Sequence, residues 1–233
     1  MKNGKNYREK EKLVDRSKLY SPAEAFKLVK QTARAKFDES VDLSMRLGVD
    51  VKKNPSVRGT VALPAGSGKV KRIAVLTKPE RFKEAEQAGA DVVGSEDLVE
   101  KIKNGFLDFD ILIATPDMMG AAGKLGKILG TRGLMPNPKS GTVSPEVGKA
   151  VKEFKGGKVE FKMDKGGALH MVLGKVSFSE EALGQNFKAT LSSINHVKPS
   201  GLKGVFIKSI TLSTTMGPGI KIDTRRALEG VEA

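Results

Sequence analysis

The pattern of apolar residues changes twice along this chain, and this change is the strongest constraint on its fold. In residues 41–49 every second residue is apolar, which is typical of a strand with one buried face and one solvated face. The same alternation returns at residues 159–163 and 168–173, on either side of the turn sequence Lys165-Gly166-Gly167. We therefore predict antiparallel sheet at both ends of the chain, with a hairpin linking the last two segments.

The middle of the chain follows a different pattern. Residues 73–76, 90–93 and 111–114 are short, mainly apolar runs without alternation, and helical patterns occupy residues 79–88 and 96–104 between them. Strands that are apolar on both faces and alternate with helices favour a parallel sheet covered by helices on both sides.

Glycine-rich segments separate the middle from the ends, at residues 65–68 and 156–158. The economical topology has two domains and combines α/β with α+β structure. Residues 1–67 and 160–233 form a split α+β domain, and residues 68–159 form an inserted α/β domain. Such an insertion is tolerated because the termini of a domain usually lie close together.

Local signals add several elements. Ser21-Pro22-Ala23-Glu24 predicts a helix that begins with a capping box, and Ser179 predicts the cap of a helix that runs to about residue 197. A further helix is expected from Ser144-Pro145-Glu146 to about Phe154. Strands are expected near residues 59–63 and 205–212.

The balance of charge points to a polyanionic partner. The chain has 41 Lys and Arg against 27 Asp and Glu, a formal net charge of +14. Solubility needs a net charge of only about 2–8 in a small domain. Aromatic residues make up 5% of the chain and Trp is absent, so platforms for stacking single-stranded bases are scarce. We expect a partner that is recognised through phosphates, sugars and shape, such as folded RNA or duplex DNA.

Composition also limits the class of protein. The absence of Cys excludes disulfides, thiolate catalysis and Cys-based zinc sites. No stretch approaches the roughly 18 apolar residues of a membrane span, and the first residues lack the apolar segment of a secretory signal. We therefore expect a cytoplasmic protein with no membrane partner. The basic first twenty residues leave two interpretations open, a solvated arm or a direct RNA contact.

An enzyme is the main alternative, and it has little support. His170 and His196 fall in different predicted elements, and no nucleophile or metal-ligand pattern is present, so we expect no catalytic residue, cofactor or metal. Residues 66–69 resemble a P-loop, but Leu63 and Val70 stand where that motif needs Gly and Ser or Thr. A flexible linker is the favoured interpretation of that segment.

Four glycines at positions 120, 123, 126 and 130 are the remaining argument for a nucleotide site. They run along a predicted helix, where small residues more often permit close packing than ligand binding. A nucleotide- or phosphometabolite-binding enzyme built on the middle domain stays as the rival hypothesis. A sequence-specific DNA-binding protein ranks last, because no recognition helix is evident.

Two irregular segments are the most distinctive parts of the sequence. Residues 129–143 (LGTRGLMPNPKSGTV) form a constrained loop that could face RNA or protein or could simply connect two elements. Residues 213–219 (STTMGPG) combine three hydroxyls that can reach phosphate or 2′-OH with glycines that allow close approach, although a plain hairpin turn is equally compatible.

These two segments resemble the signature sequences of the L1 family of bacterial large-subunit ribosomal proteins. Thr131 and Ser140 are mild departures, standing where the family usually has Pro and Thr. Four other segments resemble the family in the same order along the chain, namely residues 36–39, 57–60, 114–117 and 204–209.

The resemblance implies a fold and a function. The implied fold is a split RNA-binding domain made from both termini with an inserted Rossmann-like domain. The implied protein lies on the mobile stalk of the large subunit, binds large-subunit rRNA there and assists the release of deacylated tRNA. It also represses translation by binding the mRNA of its own operon, and it is a monomer outside the ribosome.

The resemblance also implies which residues bind RNA. Phe37 would pack against RNA, Arg46 stands where the family commonly has a basic residue, and the segment around Met216 would form the opposite edge of the same surface. The full implied set is Lys36, Phe37, Ser40, Arg46, Asp164, Lys165, Gly166, His170, Ser209, Thr215, Met216 and Gly217.

Overall fold

The computed structural model describes residues 4–49, 57–199, 202 and 204–229. They divide into two compact units, one within Met1–Gly68 and Val159–Ala233 and the other within Lys69–Lys158. The strands are β1 (Ser40–Leu47), β2 (Arg58–Ala62), β3 (Ile73–Leu76), β4 (Val92–Gly94), β5 (Ile111–Ala114), β6 (Lys158–Lys162), β7 (Ala168–Lys175), β8 (Ile207–Thr214) and β9 (Ile220–Ile222). The α-helices are α1 (Lys5–Glu11), α2 (Pro22–Thr32), α3 (Phe82–Gln87), α4 (Glu96–Lys103), α5 (Met119–Lys124), α6 (Gly126–Thr131), α7 (Val147–Lys155), α8 (Glu180–His196) and α9 (Thr224–Leu228).

The first unit is built on an antiparallel sheet with the strand order β7-β1-β8-β9. One face carries the buried residues of β1, including Leu43 and Met45, and helices α2 and α8 cover it. The two helices meet through Phe26 and Phe187, whose rings pack edge to face at 5.6 Å. The sequence alternation in residues 41–49 therefore predicted both the strand and its buried face correctly.

The capping signals are also confirmed. The Ser21 side chain accepts a hydrogen bond from the Glu24 N–H, and the Glu24 side chain accepts one from the Ser21 N–H, which completes the capping box of α2. The Ser179 hydroxyl accepts from the Ala182 N–H at the start of α8. The predicted helix from residue 144 begins later, at Val147.

The predicted hairpin between β6 and β7 is wrong in its pairing. Strand β6 pairs with β2 in a separate two-stranded sheet, whereas β7 pairs with β1. Just beyond β6, Met163 forms an isolated antiparallel bridge with Leu169, and the Asp164 N–H donates to the Ala168 carbonyl at 2.8 Å. In the turn between the two strands, the Asp164 side chain accepts hydrogen bonds from backbone N–H groups. The chain passes through this turn from one sheet to the other, and β6 and β7 do not form a ladder of hydrogen bonds with each other.

The second unit contains the predicted parallel sheet, with the strand order β4-β3-β5. Helices α4, α5 and α6 cover one face, and α3 and α7 cover the other. All four residues of the central strand β3 are buried, which explains why its sequence is apolar without alternation. The predicted fold class, α/β combined with α+β, is confirmed.

The four glycines of the second unit do not serve close packing, so that prediction is wrong. The helix is broken at Leu125 into α5 and α6, and a Cβ atom added to Gly120, Gly123, Gly126 or Gly130 would meet no atom within 4 Å. The packing surface is formed instead by buried side chains such as Ala122 of α5, Leu125 between the two helices and Leu129 of α6.

Asn186 ties helix α8 to two other segments of the first unit. Its Oδ1 accepts from the Ala65 N–H at 3.0 Å, and its Nδ2 donates to the carbonyls of Gly66 at 3.0 Å and Leu173 at 2.7 Å. The side chain is fully buried. Its removal therefore leaves the buried Leu173 carbonyl and the half-buried Ala65 N–H and Gly66 carbonyl without these partners.

We predict that Asn186→Ala lowers the free energy of unfolding of the first unit by about 3 kcal/mol, because each unsatisfied buried group costs about 1–3 kcal/mol. Urea denaturation followed by tyrosine fluorescence measures this unit alone, since both tyrosines, Tyr7 and Tyr20, lie in it and the chain has no Trp. Gln185→Ala, an exposed change on the same helix, is the control. Equal unfolding curves for the two variants would contradict the prediction.

Candidate nucleic-acid interface

The open face of the four-stranded sheet is polar. Along β1, Ser40, Asp42, Ser44 and Arg46 alternate with the buried residues and lie on the opposite face. The strand register sets Ser44 between His170 of β7 and Thr211 of β8. Antiparallel pairing therefore gathers side chains from distant parts of the sequence onto one surface.

An open depression of about 410 Å³ lies on this face. Within it, the Ser44 hydroxyl and Nδ1 of His170 form a hydrogen bond at 3.0 Å. Hydroxyls from two strands, a histidine and the exposed Arg46 are groups that can bind phosphate and ribose oxygens. The depression is lined by Ser44, Met45, Arg46, Gly166, Ala168, His170, Ser209 and Thr211.

Ser44 and Thr211 line the depression but are absent from the residues expected from the sequence. The two-residue period of a strand could have revealed both, because Ser44 precedes Arg46 by two residues and Thr211 follows Ser209 by two. The pairing of β1 with β8 could not be read from the sequence, and only that pairing sets Thr211 beside Ser44.

The turn before β7 is organised by Asp164. Its Oδ1 accepts hydrogen bonds from the N–H groups of Gly166 at 2.8 Å and Ala168 at 2.7 Å. This carboxylate is therefore engaged inside the turn. It holds Gly166 at the rim of the depression and leaves Lys165 exposed at the tip.

A second group of expected residues lies near the other end of β1. Phe37 is 58% exposed and Met216 is 45% exposed, so both apolar side chains are accessible to a partner. Lys36 is exposed beside Phe37. Two apolar side chains and a cation on neighbouring loops can pack on bases or sugars while the cation binds phosphate.

The buried carboxylate of Glu39, which is only 1% exposed, holds these two loops. Its Oε1 accepts from the N–H groups of Arg34 at 2.8 Å and Ala35 at 2.6 Å, and its Oε2 accepts from the Met216 N–H at 3.0 Å. One side chain thus fixes the segment before Phe37 and the segment that presents Met216.

The environment of Glu39 favours its charged form. Burial raises its pKa, but the neighbouring Thr214 hydroxyl and the three N–H groups outweigh this effect, so the net pKa lies below the ordinary value of 4.5. Sequence reasoning did not select Glu39. A charged residue next to an alternating strand was the available signal, but such residues are usually solvated.

The loop after β8 is held by several further contacts. The Thr215 hydroxyl accepts from the Ser40 N–H at 3.0 Å, so it links this loop to the start of β1. Thr214 is 2% exposed, which rules out the expectation that all three hydroxyls of the segment can reach RNA. A Cβ atom at Gly217 would lie 2.4 Å from the Thr214 hydroxyl, so glycine is required there by close approach.

The expected residues therefore form two groups on one sheet. Ser40 and Arg46 are six residues apart on the same strand, which corresponds to about 20 Å. One group contains Lys36, Phe37, Ser40, Thr215, Met216 and Gly217, and the other contains Arg46, Asp164, Lys165, Gly166, His170 and Ser209.

Two negative findings apply to the residues that the structure describes. Among them, no group of three or more His, Asp or Glu side chains is placed to hold a metal ion. No helix in the described ranges combines the length and apolar character that a membrane crossing requires.

The polar sheet face, the exposed Arg46 and the exposed apolar side chains of the loops are groups that can bind a nucleic acid. Residues 29–218 match the ribosomal protein L1p/L10e family, which covers most of the chain. This chain therefore belongs to that family. The expected resemblance is confirmed, and membership of a ribosomal-protein family also agrees with the expectation that the chain is not an enzyme.

Two curated relatives match across nearly their whole length. The large ribosomal subunit protein uL1 of Thermobifida fusca is 54% identical over 234 residues, covering 100% of both chains. The protein of the same name from Solidesulfovibrio magneticus is 55% identical over 233 residues, covering 98% of this chain and 99% of the relative.

We predict that Glu39→Gln lowers the free energy of unfolding at pH 7 by about 1–3 kcal/mol, because an amide cannot accept all three hydrogen bonds. Because the pKa of Glu39 is lower in the folded protein than its ordinary value of 4.5, its charged form stabilises the fold fully above pH 4.5. This stabilisation is lost as the pH falls through the pKa of Glu39 in the folded protein. The difference between wild type and variant should therefore shrink below pH 4.5.

Urea titrations at several pH values between 3 and 7 measure this difference. Glu160→Gln, at an exposed position of β6, is the control for the loss of one negative charge. A difference between wild type and Glu39→Gln that stays constant over the whole pH range would contradict the assignment.

Proposed function

We propose that this protein is a structural constituent of the large ribosomal subunit and binds large-subunit rRNA at the stalk through its first unit. The observation that carries the proposal is the sheet face itself. It joins the depression around Arg46 and His170 to the loops around Phe37 and Met216 on one strand, β1. The names of the two relatives and the net charge of +14 support the same conclusion.

Residues of the two groups bind different parts of the RNA, namely its phosphates, its ribose hydroxyls and its bases. Arg46, Lys36 and Lys165 bind phosphate oxygens, which fixes the position of the protein on the RNA. The hydroxyls of Ser209 and Thr211 face ribose 2′-OH groups, which distinguish RNA from DNA. Phe37 and Met216 pack on an unstacked base or on ribose and exclude water from the polar contacts around them.

Two further roles follow if the sheet face of the first unit binds any RNA that has the shape of the rRNA site. An mRNA that imitates the rRNA site would occupy the same face, so that free protein represses translation of its own operon. The second unit, on this account, serves another task at the ribosome, such as the release of deacylated tRNA. The protein would act in the cytoplasm, as a monomer when it is not bound to the ribosome.

The rival hypothesis of a nucleotide-binding enzyme draws no new support from the second unit. A nucleotide-binding turn would have its glycines directly after a strand, at the opening of a helix. Gly120 and Gly123 instead lie within α5, after the turn of Pro116–Met118 that follows β5.

We predict that Arg46→Ala and Met216→Ala each raise the dissociation constant for an rRNA fragment of the stalk about 10- to 100-fold, because a lost polar or stacking contact is worth about 1–3 kcal/mol. Filter binding or fluorescence anisotropy measures the constants at fixed salt. Arg132→Ala and Phe106→Ala, exposed positions of the second unit, are matched controls.

Wild-type affinity in folded Arg46→Ala and Met216→Ala would reject this surface as the RNA site. A loss of affinity in the two controls, with wild-type affinity in the test variants, would instead assign RNA binding to the second unit.

The shared-site hypothesis makes a separate prediction. An rRNA fragment and an operon-leader mRNA should compete for the protein, and Met216→Ala should weaken both by a similar factor, because both use one surface. Competition anisotropy with a labelled rRNA fragment tests this. Simultaneous binding of both RNAs to one protein molecule would contradict it.

A further inference from the structure

The N-terminal helix α1 lies beside the loops that present Phe37 and Met216. Arg34 makes the connection, because its Nε donates to the Met216 carbonyl at 2.8 Å and its guanidinium lies over the Tyr7 ring at 5.6 Å from the ring centroid. The Lys10 ammonium also donates to the Gln31 carbonyl near the end of α2, at 2.7 Å. The helix is therefore docked against the first unit at this edge.

Docking divides the helix into two faces. Tyr7, Lys10 and Glu11 are partly covered, and Val14 just beyond the helix is buried. The spacing of three and four residues along a helix sets these positions on one side. Lys5, Arg8 and Lys12 follow the same spacing on the other side, and all three are exposed.

The exposed stripe is basic, and within the described part of the chain no ion pair with these three cations occurs. Glu9 is the one acidic residue of α1 on that side, whereas Glu11 is paired with Arg16. Arg34 links the Tyr7 ring to the Met216 backbone, so α1 lies next to the loop group and carries its three cations on the face turned away from Tyr7. Charges act over about 8–10 Å at physiological salt, so RNA that continues from the loops past α1 would come within range of these cations.

We propose that the exposed face of α1, formed by Lys5, Arg8 and Lys12, is an additional RNA-binding surface that contacts the phosphate backbone next to the Phe37 and Met216 loops. This inference rests on the proposed function and extends its site. Phosphate contacts by flexible cations add affinity without reading sequence. The helix thereby lengthens the bound segment of RNA beyond the sheet face.

The test is the salt dependence of binding by the intact protein. Each phosphate contact contributes about 0.7–0.9 to the slope of log affinity against log salt concentration. The combined variant Lys5→Gln, Arg8→Gln, Lys12→Gln should reduce the magnitude of that slope by about 2, so its deficit in affinity should grow about 100-fold for each tenfold dilution of salt.

Two matched variants sharpen the result. The triple change Lys83→Gln, Lys101→Gln, Lys103→Gln, at exposed positions of the second unit, removes the same net charge and should leave the slope near the wild-type value. Glu9→Gln acts in the opposite sense, since it removes an acidic group from the proposed surface, and it should strengthen binding at low salt.

The outcomes separate this inference from the function on which it rests. If Met216→Ala weakens binding while the α1 variant keeps the wild-type slope, the α1 surface is wrong and the sheet site stands. Equal changes of slope in the two triple variants would mean that only the net charge of the protein matters. That result would also contradict the proposal that α1 contacts RNA. If Met216→Ala and Arg46→Ala both bind as wild type does, the sheet site itself is wrong.

Discussion

The candidate interface depends on one buried carboxylate. Glu39 accepts hydrogen bonds from the nearby Arg34 and Ala35 and from Met216, which is distant in sequence. These N–H donors and the Thr214 hydroxyl outweigh the effect of burial and lower the pKa of Glu39, which favours its charged form. The loops around Phe37 and Met216 contain no regular structure that could fix them. The hydrogen bonds from both loops to the carboxylate of Glu39 instead fix the loops relative to each other, with Phe37 and Met216 exposed.

The four-stranded sheet explains why a binding face can be assembled from both ends of the chain. Strand β1 comes from the N-terminal segment, whereas its neighbours β7 and β8 come from the segment after the second unit. The residues that line the depression therefore lie on β1 and, more than a hundred residues later in the sequence, on β7, on β8 and in the turn before β7. The antiparallel pairing of β1 with β7 and β8 fixes the spacing of these residues, although the whole second unit lies between β1 and β7 in the sequence.

Much of this fold could be predicted from the sequence because local periodicity records burial. The alternation in residues 41–49 and the continuous apolar run in residues 73–76 identified the antiparallel and parallel sheets. The sequence contains no local pattern that shows which distant strands pair, so the prediction of a hairpin between β6 and β7 was wrong. The glycines of α5 and α6 were misjudged for a similar reason, because side chains such as Leu125 decide which face of the helix is packed. At the interface, resemblance supplied Phe37 and Met216, while Glu39 was missed because its role exists only when two distant loops meet.

The central claim is that RNA is bound by the sheet face and loops of the first unit. Hydrogen–deuterium exchange of the intact protein, free and bound to an rRNA fragment of the stalk, tests it most directly because exchange is followed segment by segment. We expect slower exchange on binding in residues 34–46, 164–170 and 209–217, and unchanged exchange in the second unit. Protection confined to residues 115–143, with none around Glu39 and Met216, would contradict it.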